Sequence, residues 1–214
     1  MKKYWKYIIG SSIALTVIII DLITKILAVS FLEYNSNPGY DGIHILGPFL
    51  TLKLEFNQAI AFSLGEGTIP MPVFALLSLV IGGVIAFLLF KYGDFKKKII
   101  GSIALSLMLG GALGNFVDRA FNFPACLYTG PGSPAVGVVD FINTNYIFEL
   151  LGGTFGIWNI ADACLCVGTF ALVIHLIFFE KDEKKQNKDS EETNTNINED
   201  VEKKQLESEQ TNND

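Results

Sequence analysis

Four long apolar stretches, about Ile8–Leu27, Met71–Phe90, Ile99–Val117 and Ile157–Phe179, constrain what this chain can fold into more than any other feature. Crossing a hydrocarbon core of ~30 Å takes roughly 20 helical residues, and each stretch is about that long. Of the 214 residues 50% are hydrophobic, and the mean hydropathy is +0.39, above what a soluble domain of this size carries. The expected fold class is an all-α integral membrane protein with four transmembrane helices.

Basic residues set the orientation of such a bundle. Lys2, Lys3 and Lys6 precede the first span, Lys91, Lys96, Lys97 and Lys98 lie between the second and third, and Lys181, Lys184 and Lys185 follow the fourth. These positions fall on one side, so both termini are expected in the cytoplasm. The longer connections, Ala28–Pro70 and Asp118–Gly156, are then outside, where the main cations are Lys53 and Arg119. Lys2-Lys3 before an apolar run is also how a secretory signal starts. No small-x-small cleavage site closes this run, which continues to Asp21 and beyond, so it reads as a retained helix.

Residues 181–214 contain 11 acidic and 6 basic residues and almost nothing apolar, and most of the formal net charge of −6 lies there. Such a segment cannot bury enough surface to offset chain entropy. The expected organisation is a four-helix membrane domain over residues 1–180 and a disordered acidic cytoplasmic tail over residues 181–214. Cys164 and Cys166 are two apart on one span, hence on different faces, and Cys126 is in a loop. They read as small core residues and a loop thiol, with no ligand set for a metal.

Within the first outer connection, Leu50-Thr51-Leu52-Lys53-Leu54-Glu55-Phe56 alternates apolar and polar residues with period two, which predicts a strand. A small extracytoplasmic β element between helices 1 and 2 is expected, its apolar face toward lipid or the bundle. The second connection, Phe121–Gly137 onward, carries Pro124, Gly130, Pro131, Gly132 and Pro134, a content that excludes helix over most of its length. It reads either as a solvated connector or as a lid.

Nearly all polar residues in or beside the spans fall into five clusters. Asp21 and Lys25 are four apart on one helix face, as an ion pair in apolar surroundings requires. Asn57 follows the strand. Asn115, Asp118 and Arg119 lie at i, i+3 and i+4 after a run of small residues, Gly110-Gly111-Ala112, that permits close helix approach. Asp140 sits in Val138-Val139-Asp140-Phe141, and Asn159 and Asp162 share a face at i and i+3. Given the orientation above, every cluster falls at the outer ends of the spans or just beyond, which a single site assembled from several helices explains. Ionisable groups at membrane depth mark a pathway or a reaction centre. Two carboxylates brought together cannot both ionise comfortably, so one can hold a proton while the other acts as base.

In order along the chain, Asp21…Thr24-Lys25, Asn57…Ala61-Phe62-Ser63, Gly114-Asn115…Asp118-Arg119, Val138-Val139-Asp140-Phe141 and Asn159…Ala161-Asp162 resemble the motifs of lipoprotein signal peptidase (signal peptidase II), a bacterial inner-membrane aspartyl protease. The resemblance covers about residues 8–180. It implies that Asp140 and Asp162 are the catalytic pair. Asp21, Lys25, Asn57, Asn115, Asp118, Arg119 and Asn159 would form the polar shell that orients the pair and holds the substrate backbone. It further implies cleavage of diacylglyceryl-modified prolipoproteins on the N-terminal side of the lipidated cysteine, in contact with membrane lipid, without metal or organic cofactor. The chain is expected to act as a monomer with no nucleic-acid partner, in the bacterial cytoplasmic (inner) membrane with its site near the outer face. Three positions depart from the pattern: Ala59 stands for the usual Gly, Trp158 for the usual Phe, and the stretch Phe121–Gly137 is longer.

Serine catalysis is disfavoured, because His44 and His175 are the only histidines and His175 lies at the far end of the fourth span. A small proton-coupled transporter or channel is the alternative reading, with Asp21, Asp118, Asp140 and Asp162 as a relay. It requires polar groups spread through the bilayer depth. Val73–Ile85 and Leu165–Ile174 carry almost none, and the absence of an internal repeat also counts against it.

Overall fold

The computed structural model describes residues 4–34, 39–58, 70–130, 135–153 and 155–179. Ala59, the segment 181–214 and the domain boundary expected at 180/181 lie outside the described residues. Two compact units divide the chain, residues 1–172 and 173–214, and the architecture described below is that of the first.

Helices α1 (Trp5–Phe31), α2 (Met71–Tyr92), α3 (Ile99–Phe121) and α5 (Ile160–Ile174) carry the apolar stretches. With the continuation of the last to Phe178, all four are long and apolar enough to cross a membrane. Strands β1 (Ile43–His44), β2 (Thr51–Asn57) and β3 (Val138–Asn143) form an antiparallel sheet in the order β1-β2-β3, and a short helix α4 (Asn145–Leu150) follows β3.

Small residues make α3 the packing centre. An added Cβ at Gly110 would lie 2.6 Å from Val17 Cβ and 2.8 Å from Ala14 O, and one at Gly111 would strike Ala161 O. Helix α3 therefore meets α1 and α5 almost backbone to backbone, as small residues allow in membranes, where association depends on close packing. The other three helices turn most of their Leu, Ile, Val and Phe side chains outward, among them Leu15, Ile19, Leu76, Val80, Val167 and Phe170, which is the surface a lipid environment accepts.

The bundle has two chemically different ends. At one, Lys6 Nζ donates to Phe90 O (3.0 Å), and the Asp94 N–H donates to Ser102 Oγ (2.8 Å). There the Lys96 and Lys97 N–H groups hold the Asp94 carboxyl below its usual range. At the other end lie the sheet, the C-terminal turns of α1 and α3, and the start of α5. A core of Ala28, Val29, Leu32, Leu54, Phe56, Ala125, Val139 and Phe141 seats the sheet on α1. The predicted strand is present, and its apolar face meets protein, with Leu54 and Phe56 buried.

Two differences from expectation share a cause. The sheet is not confined to the connection between α1 and α2, because β3 comes from the second connection, and α5 starts at Ile160 rather than Ile157. Trp158 O accepts the Phe141 and Ile142 N–H groups (3.1 and 2.8 Å), and the Trp158 N–H donates to Ile142 O (3.0 Å). This pairing keeps the residues before Ile160 extended. Long-range pairing of this kind leaves no periodic trace in a six-residue apolar run.

Gly111→Ala is expected to lower stability by about 1–3 kcal/mol, the usual range for overpacking a tight contact. Gly83, whose Cβ position is open, is the control: Gly83→Ala should leave the thermal midpoint unchanged or raise it, since Ala is the better helix former by about 1 kcal/mol. Thermal unfolding in detergent reads both, and equal midpoints would remove the close α3–α5 approach from the account.

Candidate active site

Asp162 lies in the first turn of α5 because Asn159 caps that helix. Asn159 Oδ1 accepts the Asp162 N–H (2.9 Å), and Asp162 Oδ2 accepts the Asn159 N–H (3.3 Å). This is a reciprocal capping box, with the carboxylate at the positive end of the helix. Asp140 is carried by β3, whose pairing with β2 sets Asp140 opposite Glu55. The bridge between Ile142 and Trp158 then draws the two aspartate-bearing segments together.

Three asparagine side chains connect the carboxyls. Asn159 Nδ2 donates to Asp140 Oδ1 (2.6 Å) and to Asn115 Oδ1 (3.2 Å). Asn115 Nδ2 donates to Asp162 Oδ1 (2.7 Å), and Asn57 Nδ2 donates to Asp140 Oδ2 (3.1 Å). Asp140 is 1% exposed. Its burial first, and the neighbouring Asp162 carboxyl second, push the Asp140 carboxyl well above the usual carboxylate range, against the pull of the Asn57 and Asn159 amides and the more distant Lys25 charge.

Behind this layer lies a buried ion cluster. Lys25 Nζ is 2.8 Å from Asp21 Oδ2 and 3.0 Å from Asp118 Oδ2, with all three side chains fully buried, and it donates to Asn115 Oδ1 at 3.1 Å. The Asp21–Lys25 pair expected from the i, i+4 spacing is thus part of a larger unit whose second carboxylate comes from α3. Close approach of α3 makes this possible, since an added Cβ at Gly114 would sit 2.8 Å from Asp21 Oδ2.

Eight of the nine residues singled out in the sequence, all but Arg119, form one hydrogen-bonded and ion-paired network. Arg119 Nη1 donates to Ser78 Oγ on α2 (3.2 Å), so the guanidinium is braced against a different helix. Ser78 was absent from the predicted set, although it is the only polar side chain between Met71 and Phe90, and that was its available signal. Asn122 was missed too. It adopts a left-handed conformation (φ 50°), donates to Ala135 O (3.0 Å) and accepts the Gly137 N–H (3.0 Å), closing the base of the second connection before β3. Among the described residues no group of His, Cys, Asp and Glu is arranged to hold a metal ion.

Two solved structures, each described as a bacterial membrane enzyme, share this fold. One superposes with a TM-score of 0.60 and 27% identity, covering 78% of this chain and 87% of the other. The second gives 0.61 and 26%, covering 79% and 93%. Fold and neighbours define a bacterial membrane protein of the enzyme class. A lipoprotein signal peptidase from Halalkalibacterium halodurans is 33% identical over 174 residues, which is 81% of this chain and 95% of the relative. One from Staphylococcus aureus is 32% identical over 174 residues, 80% and 91% of the two chains. The family described as signal peptidase (SPase) II matches residues 13–178. The chain belongs to this family of peptidases, which does not favour the transporter reading.

Lys25→Met is expected to destabilise the fold by about 3–5 kcal/mol, because it leaves Asp21 and Asp118 buried without their counter-ion. Lys53→Met is the control, since Lys53 pairs with the exposed Asp41 (3.4 Å), and exposed pairs are worth about 0–1 kcal/mol. Comparable thermal midpoints for the two variants would contradict the buried cluster.

Proposed function

We propose that this chain is an aspartic-type endopeptidase that removes signal peptides from prolipoproteins, cutting on the N-terminal side of the diacylglyceryl-modified cysteine, with Asp140 and Asp162 as the catalytic pair. The observation that carries this reading is that the carboxyls of Asp140 on β3 and Asp162 in the first turn of α5 are joined through two amides: Asn159 Nδ2 donates to both Asp140 Oδ1 and Asn115 Oδ1, and Asn115 Nδ2 donates to Asp162 Oδ1. Such a pair shares one proton more readily than it ionises twice, and its titration belongs to both members together. The ionised member takes a proton from a water held between them, and the resulting hydroxide attacks the scissile carbonyl. The protonated member donates a hydrogen bond to the developing oxyanion. When the tetrahedral intermediate collapses, the proton taken from water goes to the leaving amine of the cysteine, and the pair returns to its starting state.

The same reading makes Asn57, Asn115 and Asn159 the groups that orient the carboxyl oxygens. Both termini are assigned to the cytoplasm and the sheet end to the outer face of the membrane, supported by the lysines gathered at the opposite end, and the enzyme is taken to act as a monomer. The direct test is cleavage of a lipidated prolipoprotein by the purified protein and by its Asp140→Asn form. The variant should keep less than about a tenth of the wild-type rate, a barrier change above about 1.4 kcal/mol, and turnover at the wild-type rate would overturn the assignment.

The pH dependence follows from the raised Asp140 carboxyl. Activity should fall on the alkaline side as the shared proton is lost. The Asn57 amide stabilises the ionised form of Asp140, so removing it favours the protonated form. Asn57→Ala should therefore move the alkaline limb of kcat to higher pH, at a lower maximal rate. A limb that stays in place or moves to lower pH would take Asn57 out of this role.

Lipidation of the substrate should matter for rate as well as affinity. Each buried methylene adds roughly 0.8 kcal/mol of membrane attachment, which confines the cysteine to the layer of the site. Remote binding energy can also be used for orientation at the reacting centre. An unmodified precursor should show a lower kcat/KM than its diacylglyceryl form in the same bilayer. Equal values would return the chain to a broader class of membrane aspartyl peptidases.

A further inference from the structure

Three members of the buried network make no hydrogen bond to either carboxyl of the pair. Asp21 and Asp118 reach instead for the backbone beside it, and Lys25 pairs with both. Asp21 Oδ1 accepts the N–H of Ala161 (2.8 Å), the residue before Asp162. Asp118 Oδ2 accepts the N–H of Val139 (3.0 Å), the residue before Asp140.

Each of these amides lacks an ordinary partner. Ala161 lies in the first turn of α5, where backbone N–H groups have no intrahelical acceptor, and Asp21 supplies one from α1. Among the described residues β3 is an edge strand of the sheet, next to β2. On its other side Trp158 O takes the Phe141 and Ile142 N–H groups, and Asp118 takes Val139. The ammonium of Lys25 joins the two carboxylates, and its third donor goes to Asn115 Oδ1. Asn115 Oδ1 is thereby occupied, which leaves its Nδ2 to face Asp162.

From this geometry we infer that Asp21 and Asp118 are positioning residues: each anchors the backbone immediately before one member of the aspartate pair, and Lys25 ties the two anchors so that the spacing of the reacting carboxyls is fixed from behind. The inference rests on Asp140 and Asp162 being the reacting pair. Placement of reacting groups is sensitive to small shifts, a 1 Å error costing up to about 10²-fold in rate. Substrate binding makes no use of the two anchors, so their loss acts on kcat and leaves KM alone.

Asp118 offers a clean separation between anchoring and charge. Its Oδ2 makes both the Val139 and Lys25 contacts, whereas its buried Oδ1 has no hydrogen-bond partner among the described residues. Asparagine can keep the first oxygen and place its amide nitrogen where the second stood. Loss of the Asp118 charge leaves Lys25 and Asp21 as a balanced pair.

The test measures kcat and KM with one lipidated precursor for wild type, Asp118→Ala, Asp118→Asn, Asp21→Ala and Asp140→Asn. Asp118→Ala and Asp21→Ala should each lower kcat about 10- to 100-fold with KM within about two-fold, and Asp118→Asn should recover most of kcat. Amide hydrogen exchange read in the wild-type protein should show Val139 and Ala161 protected. Unchanged kcat in the alanine variants, equal loss in Asp118→Ala and Asp118→Asn, or a loss carried by KM would overturn the inference. Should an alanine variant not accumulate, the wild-type exchange still decides: Val139 or Ala161 exchanging as fast as an exposed amide also overturns it. An inactive Asp140→Asn beside unaffected anchor variants refutes the anchors alone. An active Asp140→Asn refutes the pair itself.

Discussion

A fully buried lysine ammonium within 3.0 Å of two carboxylates, one from α1 and one from α3, is the interaction on which the rest of this structure depends. Burying three ions in a membrane protein is tolerable only if each charge is paired and each donor used, and Lys25 meets that condition with its contacts to Asp21, Asp118 and Asn115. The condition dictates geometry. Helices α1 and α3 must approach closely enough for a lysine and two aspartates to meet, which is why Gly110 and Gly114 carry no Cβ where Val17 and Asp21 pack. Once the cluster forms, its outward-facing groups are already aimed at Ala161, Val139 and Asn115.

The site is therefore layered. Ions at the back fix backbone, amides in the middle fix carboxyl oxygens, and Asp140 and Asp162 stand in front. The layers draw on α1, α3, the strands and the start of α5 together, and the sheet contributes by bringing β3 to the bundle. The apolar face of β2 and β3 packs on the end of α1, so the strand bearing Asp140 is held by the helix that bears Asp21 and Lys25. Helix α5 is held at its start by the Asn159 capping box and the Asp21 contact to Ala161, and along its length by Gly111 and Gly168.

Much of this was legible in the residues. The four helices follow from apolar length, the Leu50–Phe56 strand from alternation, and the Asp21–Lys25 pair from spacing. Depth alone gathered the polar clusters at one end. What the sequence withheld are the long-range pairings. Val138–Asn143 is as apolar as a helix segment and too short for periodicity to show that it is a strand, and only its pairing with β2 settles that. Asn159 and Asp162 read as sharing a helix face, whereas Asn159 stands just outside the helix as its cap. Arg119 shares a face with Asn115 and Asp118, yet its long side chain reaches Ser78 on α2. The meeting of Lys25 with Asp118 depends on how two helices lie together, which spacing within either one cannot express.

The central claim is that Asp140 and Asp162 act as one unit on one water. A double-mutant cycle tests it most directly, with single-turnover cleavage of a lipidated precursor by wild type, Asp140→Asn, Asp162→Asn and the double variant. Residues that act as a unit are non-additive, so the double variant should be no slower than the slower single variant, to within about three-fold. Losses that multiply would mean two independent contributions, and the account of a shared proton would be wrong.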